Sequence, residues 1–153
     1  MRISTNKAEL DIPLIHRFLS EQSGWARLIP MATLKKAIAN SLCFGGFVEG
    51  RQVAFARVIS DFATFANLVD VFVLPEMRGR GYGKMLMKAI IAHPELQGLR
   101  RFTLATADAH GLYAQFGFTP LVKPETFMER YFPNIYASTA GTQPIDEANV
   151  PIP

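Results

Sequence analysis

Cysteine is nearly missing from this chain: Cys43 stands alone among 153 residues. That excludes an internal disulfide and any metal site built from several thiolates. Long apolar runs are missing too, since none approaches the ~20 residues that a membrane-spanning helix needs. The opening Met1-Arg2-Ile3-Ser4-Thr5-Asn6-Lys7 lacks the apolar core of a secretory leader. Charge is sparse, at 19% of residues, and its balance is only +3, so neither a nucleic-acid nor a membrane partner is indicated. The expectation is a cytoplasmic protein without metal. What is present in quantity is apolar residue, 49% of the chain, enough for the core of one domain.

The pattern along the chain alternates between helix and strand. Residues 3–5 read as a short strand. Asp11 then caps a helix with Pro13 in its first turn, where a missing N–H costs little; Leu14, Ile15, Phe18 and Leu19 give it an apolar face, and His16 is read as a surface residue. After Ser23-Gly24-Trp25 a second helix covers 33–40. Strands at 43–48 and 52–59 flank the turn Glu49-Gly50-Arg51. Arg57 shares a strand face with Val53, Phe55 and Ile59, so it is either a sheet-edge residue or a buried cation with an acidic partner. A third strand covers 67–74, with Asp61 as a turn residue before it. A helix with apolar Tyr82, Met85, Leu86, Ala89 and Ile90 follows, ended by His93-Pro94.

Beyond it, 101–106 reads as a strand, 109–116 as a helix closed by Gly117, and 118–122 as a last strand. Residues 125–130 are expected to pack as a final element. The domain is therefore placed at 1–138, with 139–153 as a mobile tail that has little to bury. The fold class is an α/β mixture of the α+β type: one central, mixed but mostly antiparallel sheet flanked by helices.

The most informative stretch is Val71-Phe72-Val73-Leu74-Pro75-Glu76-Met77-Arg78-Gly79-Arg80-Gly81-Tyr82-Gly83-Lys84. A strand ends, three glycines and two arginines make a loop, and a helix begins. Such a junction gathers backbone N–H groups and the positive end of a helix dipole at one point, which suits a phosphate. The Walker pattern fails here, because Arg78 stands at its first glycine and Met85 at its hydroxyl. The dinucleotide pattern fails because Lys84 or Leu86 stands at its third glycine. The pattern [Q/R]-x-x-G-x-[G/A] fits, at Arg78, Gly81 and Gly83.

This stretch resembles the acetyl-CoA-binding motif of the GNAT superfamily of N-acetyltransferases. A second block, Ala109-His110-Gly111-Leu112-Tyr113-Ala114-Gln115-Phe116-Gly117-Phe118, resembles the family's A-x-x-L-Y-x-x-x-G-F segment, and the element order agrees from residue 3 to 122. The resemblance implies that acetyl-CoA is the acyl donor. Its pyrophosphate would lie on the backbone amides of Arg78, Gly79, Arg80, Gly81, Tyr82, Gly83 and Lys84. Its pantetheine arm would run along Val71, Phe72 and Val73, with an N–H there facing the acetyl oxygen. Tyr113 would be the general acid that protonates the departing thiolate. Where many members carry Asn, Thr106 stands; it either caps the helix or contacts pantetheine. His110 lies one helical turn from Tyr113 and is either a surface residue of the helix or a cofactor-binding group beside the thiol.

The acceptor side has fewer signs. Many relatives carry an acidic pair where this chain has Val69 and Asp70, so only the second acid is present. Asp70 is expected to orient the amine, to relay its proton through water, or to pair with Arg57. Trp25 lies in the helix–loop–helix region where the fold forms its acceptor wall, and either stacks on substrate or packs in the core. Cys43, in an apolar strand, is expected to be buried, so direct transfer in a ternary complex is favoured over a ping-pong route. The reading is acetyl transfer to a primary amine of a small molecule. A peptide or protein amine is the alternative acceptor, and a non-catalytic acyl-CoA sensor is the alternative class. The fold is compatible with a homodimer.

Overall fold

The computed structural model describes residues 1–137, so the tail placed at 139–153 lies outside the described residues. Five strands form one sheet in the order β1-β2-β3-β4-β5: β1 Arg2–Ser4, β2 Leu42–Val48, β3 Arg51–Ser60, β4 Phe65–Val73 and β5 Arg101–Leu104. The first four pair antiparallel, and β5 runs parallel to β4. This is the mixed, mostly antiparallel sheet that the pattern of elements indicates. The parallel pair needs a crossover, and α3 (Tyr82–Ile91) supplies it. α1 (Ile12–Arg17), which continues into a π-turn at Phe18–Gln22, and α2 (Met31–Ala39) precede the meander; α4 (His110–Ala114) follows β5.

Strand alternation divides the core into two layers. Val53 and Phe55 of β3 and Phe72 of β4 pack with Leu14, Phe18, Leu34 and Ile38 of the first helices. Phe18 stacks on Phe72 with ring centroids 3.9 Å apart, which fixes α1 against the centre of the sheet. On the other layer Ala54, Ala56 and Val58 of β3 and Ala66 and Leu68 of β4 meet Leu86, Met87 and Ile90 of α3 and Tyr113 of α4. Small β3 side chains let α3 approach closely. Asp11 caps α1 through a 3.0 Å bond from the Leu14 N–H, as its place before Pro13 suggests. His16 is half-buried and its Nε2 pairs with the Ile29 carbonyl at 2.8 Å, so it ties the loop to α1 instead of lying free on the surface.

Two expectations fail at the C-terminal end. Residues 118–122 do not form a strand, and 125–130 do not pack as an element beyond a 3-10 turn at Pro124–Thr126. Pro120 and Pro124 each remove an N–H from any ladder there, and Val122 is 92% exposed.

Candidate active site

The register of β3 against β4 shifts in one place. Phe55 faces Phe72 and Arg57 faces Val69, so Ala56 alone spans Asp70 and Val71. That is a β-bulge on β4, and Asp70 carries its φ of +55°. The bulge changes which face a given parity serves. Ala66 and Leu68 point toward α3, but after the bulge Val71 and Val73 do, while Phe72 joins the α1 layer. It also turns Asp70 toward Arg57, away from the α3 layer that simple alternation would give it.

The second edge of β4 opens at the same level. β5 pairs with it only from Phe65↔Arg101 to Leu68↔Leu104, so from Val69 onward β4 has no strand on that side among the described residues. The edge then leads through Leu74 and the 3-10 turn Pro75–Met77 into the glycine loop. Gly79 and Gly81 have φ of +74° and +79°, and a Cβ on either would meet nothing within 4 Å. Glycine is required there by the left-handed backbone, and the space above the loop is open. Gly81 is the N-cap of α3, with no side-chain cap bond. The first helical bond is donated by Met85 to the Gly81 carbonyl, so the amides before it have no partner within the helix. A Cβ on Gly83 would touch the Leu112 side chain at 3.8 Å, which places the first turn of α3 against α4.

Arg78, Arg80 and Lys84 are exposed. The Arg78 Nε donates to the Val73 carbonyl at 3.1 Å, and Arg80 lines a shallow depression with Val48, Glu49 and Met77. Phe72 is buried against Phe18, so only its backbone is available at the edge. Tyr82 is half-buried against the α1 layer.

Tyr113 is 9% exposed and packs against Phe118 with centroids 6.1 Å apart. Burial raises its pKa above the ordinary tyrosine value, with a smaller push from the Asp108 carboxylate. Its hydroxyl makes no hydrogen bond to protein among the described residues, and the ring lies on the same sheet layer as Val71 and Val73. Thr106 caps the loop, its Oγ1 accepting from the Ala109 N–H at 3.0 Å; the hydroxyl hydrogen remains available to a ligand. His110 opens α4 and is exposed.

Around Asp70 the side chains form a closed set of bonds. Asp70, 8% exposed, accepts from the Arg57 Nε at 2.8 Å on one oxygen and from the Trp25 Nε1 at 3.1 Å on the other. Arg57 donates also to the Ser41 Oγ at 3.0 Å, and Ser41 donates to the Ala37 carbonyl at 2.7 Å. The ion pair that Arg57 could make is therefore present, and Trp25 is not a core residue: it is 57% exposed, with only its N–H tied down. Ser41 was not foreseen, because nothing near it in sequence distinguishes it from the other residues that end α2. Cys43 is fully buried, and burial pushes its thiol up to about 11. Asp61 accepts N–H bonds from Ala63, Thr64 and Phe65 at 2.8–3.1 Å and the Thr64 hydroxyl at 2.6 Å, which hold its pKa far below the usual carboxylate range. It is a turn residue.

An open strand edge thus runs into a glycine-bordered helix start, and a buried tyrosine lies on the adjoining helix. The family model for the acetyltransferase (GNAT) family matches residues 12–118, and the chain belongs to that family. It is 33% identical over 135 residues to a protein of Gibberella zeae assigned provisionally as an acetyltransferase, covering 74% of this chain and 75% of that one. An uncharacterised N-acetyltransferase of Gracilaria tenuistipitata is 34% identical over 106 residues, 65% of this chain and 58% of that one. Among solved structures, a GNAT-family protein of Xanthomonas campestris, also provisionally assigned as an acetyltransferase, superposes with a TM-score of 0.88 at 66% identity, over 90% of this chain and 96% of its own. A Mycobacterium tuberculosis protein solved with CoA shares the fold at a TM-score of 0.64 and 19% identity, over 79% and 73% of the two chains. Among the described residues no helix is long and apolar enough to cross a membrane, and no cluster of three metal-ligating side chains occurs.

Proposed function

We propose that the chain is an N-acetyltransferase that takes acetyl from acetyl-CoA and gives it to a primary amine of a small molecule, with both bound at once. The observation that carries this reading is the coincidence at one point of β4: the bulge at Asp70–Val71, the loss of the β5 neighbour, and the start of α3 with its uncapped amides. The open space over Gly79 and Gly81 fits a pyrophosphate lying on backbone N–H groups. The CoA bound to the Mycobacterium tuberculosis relative and the name of the Gracilaria relative support the same donor and the same bond.

Bound there, acetyl-CoA supplies an acyl carbon that the amine attacks as the C–S bond breaks. The chain's own groups do the rest. The amides of Arg78 to Lys84 and the dipole of α3 hold the anionic end. The backbone at Val71, freed by the bulge, offers an N–H to the acetyl oxygen as charge develops on it. Tyr113 donates its phenolic proton to the leaving sulfur, and its raised pKa keeps that proton in place at neutral pH. Asp70 has both oxygens engaged, yet a carboxylate has lone pairs to spare. It anchors Trp25 and holds the incoming ammonium beside the exposed indole face, where a cation is also attracted by the ring. The amine's proton then leaves through water. Both Tyr113 and the glycine loop being intact favours an enzyme over a sensor.

A panel of free amines and peptides, followed by release of CoA thiol, tests the reading. Free amines are expected to turn over and peptides to be poor acceptors. Turnover of peptides alone would replace the small-molecule acceptor. Acetyl-CoA that raises the melting temperature while no amine releases thiol would establish the sensor instead.

A further inference from the structure

α1 and α2 cover only part of their side of the sheet. Alternation sends Ala56, Val58, Ala66, Leu68, Phe102 and Leu104 to the α3 layer. The opposite side therefore receives Arg57 and Ile59 of β3, Phe65, Asn67 and Val69 of β4, and Arg101 and Thr103 of β5. Ile59, Phe65 and Val69 belong to neither packed layer, and Ile59 and Phe65 are 43% and 41% exposed. Ile59 and Thr103 flank Asn67 in the two ladders, so Asn67 stands at the centre of this uncovered face. Val69 follows two residues on, and leads to Asp70 and the exposed Trp25 ring.

Asn67 is the odd group on that face. Its Oδ1 accepts from the Thr103 hydroxyl at 2.9 Å, which fixes the side chain, while its NH₂ group has no protein partner among the described residues. A half-buried amide held at one end is a fixed donor among apolar neighbours, the kind of polar group that orients a ligand. Two to three residues of strand, at about 3.3 Å each, separate it from Asp70. Charge restricts what can lie there. This part of the face carries Arg57, Asp70 and Arg101; the first two pair at 2.8 Å, and the Arg101 guanidinium lies over the Phe127 ring at 4.8 Å. With one acid against two bases, a second ammonium on the same ligand is repelled.

We propose that this face holds the body of the acceptor, and that Asn67 selects a monoamine whose apolar body carries a neutral, hydrogen-bond-accepting oxygen roughly 7–10 Å from its nitrogen. In the acetyl-transfer reading above, on which this assignment rests, the ammonium sits at Asp70 beside Trp25. The apolar chain then lies on Val69 and Ile59, and the Asn67 NH₂ group donates to the oxygen. An acceptor without that oxygen leaves the amide unpaired as water is expelled, and so is discriminated against. Diamines and polyamines are excluded by charge.

Trp25 is the one tryptophan of the chain, so its fluorescence reports occupancy of this face without turnover. Heptylamine and methoxypentylamine have equal length and differ by one methylene replaced with an ether oxygen; the diamine cadaverine carries a second charge instead. In the wild type, methoxypentylamine is expected to perturb Trp25 at concentrations about three- to tenfold lower than heptylamine, with cadaverine weakest. KM for release of CoA thiol should follow the same order, with kcat less affected. Asn67→Leu should abolish the preference for the ether, and Asn67→Asp should reverse it in favour of cadaverine, both with a melting temperature near that of the wild type. The same order of binding in the wild type and both variants overturns the proposal. So does cadaverine binding best to the wild type, or a Trp25 signal that none of the three amines moves. The expected order of binding without any release of thiol from acetyl-CoA supports the site and fails the transferase reading alone.

Discussion

On the α3 side of β4 the groups offered to a ligand are backbone amides of an exposed loop. On the α1 side they are side chains drawn from residues 25, 41, 57 and 70, already bonded to one another. The two regions meet at the bulge, one residue apart, and respond to change in opposite ways. The loop carries little of the fold's stability, so altering it should cost ligand affinity first. The side-chain cluster buries a charged pair, so altering it should cost stability first.

The largest expected effect is on catalysis from the loop's side of the sheet. Tyr113→Phe should lower kcat by about 10²–10⁴-fold, the usual worth of a general acid, while leaving the unfolding midpoint nearly unchanged, because the hydroxyl has no protein partner. The sign with pH follows from its raised pKa. The protonated phenol is the active form, so kcat should stay level as pH rises through about 10, the ordinary tyrosine value, and fall only above it. The same shift means that any stability Tyr113 lends is complete below that value and is lost as pH climbs toward the folded-state pKa. An alkaline limb at or below the ordinary value would count against this acid.

On the other side, Arg57→Met should lower unfolding free energy by about 3–5 kcal/mol, the cost of leaving a buried partner charge unpaired. Urea denaturation measures it, and the double variant Arg57→Met/Asp70→Leu should recover much of the loss. If the single variant is as stable as the wild type, the cluster is not the rigid corner described. Trp25→Phe is expected to be milder, about 1 kcal/mol, since water can reach the freed Asp70 oxygen beside an exposed ring; its larger consequence should be a raised KM for the amine with kcat less affected. Least of all, Cys43→Ala should leave turnover unchanged, which initial-rate assays can check; a collapse of activity with the fold intact would revive a thiol-borne acyl group.

The same contrast explains what could be read from sequence. A backbone site is written in local spacing: Arg78, Gly81 and Gly83 stand in one stretch, and the left-handed φ at Gly81 is a demand that only that stretch has to meet. The helices and the meander were legible for a similar reason, since their periodicity is local. The cluster around Asp70 is assembled by folding. The Arg57–Asp70 pair could be named as one of several readings, but that it forms depends on a bulge that reverses the face of Asp70. That Ser41 completes the set depends on where α2 ends over β3. The strand misread at 118–122 has apolar residues enough, but Pro120 and the absence of a covering layer decide against pairing within one chain.

Calorimetric titration of acetyl-CoA into the wild type and Gly81→Ala bears most directly on the central claim, that donor binding rests on the loop's backbone. A Cβ in the left-handed region costs about 1–2 kcal/mol. Relieving that strain moves the amides, so the account predicts an affinity lower by about five- to thirtyfold with the unfolding midpoint almost unmoved. Equal affinity in the two proteins, or no heat of binding in either, would contradict it.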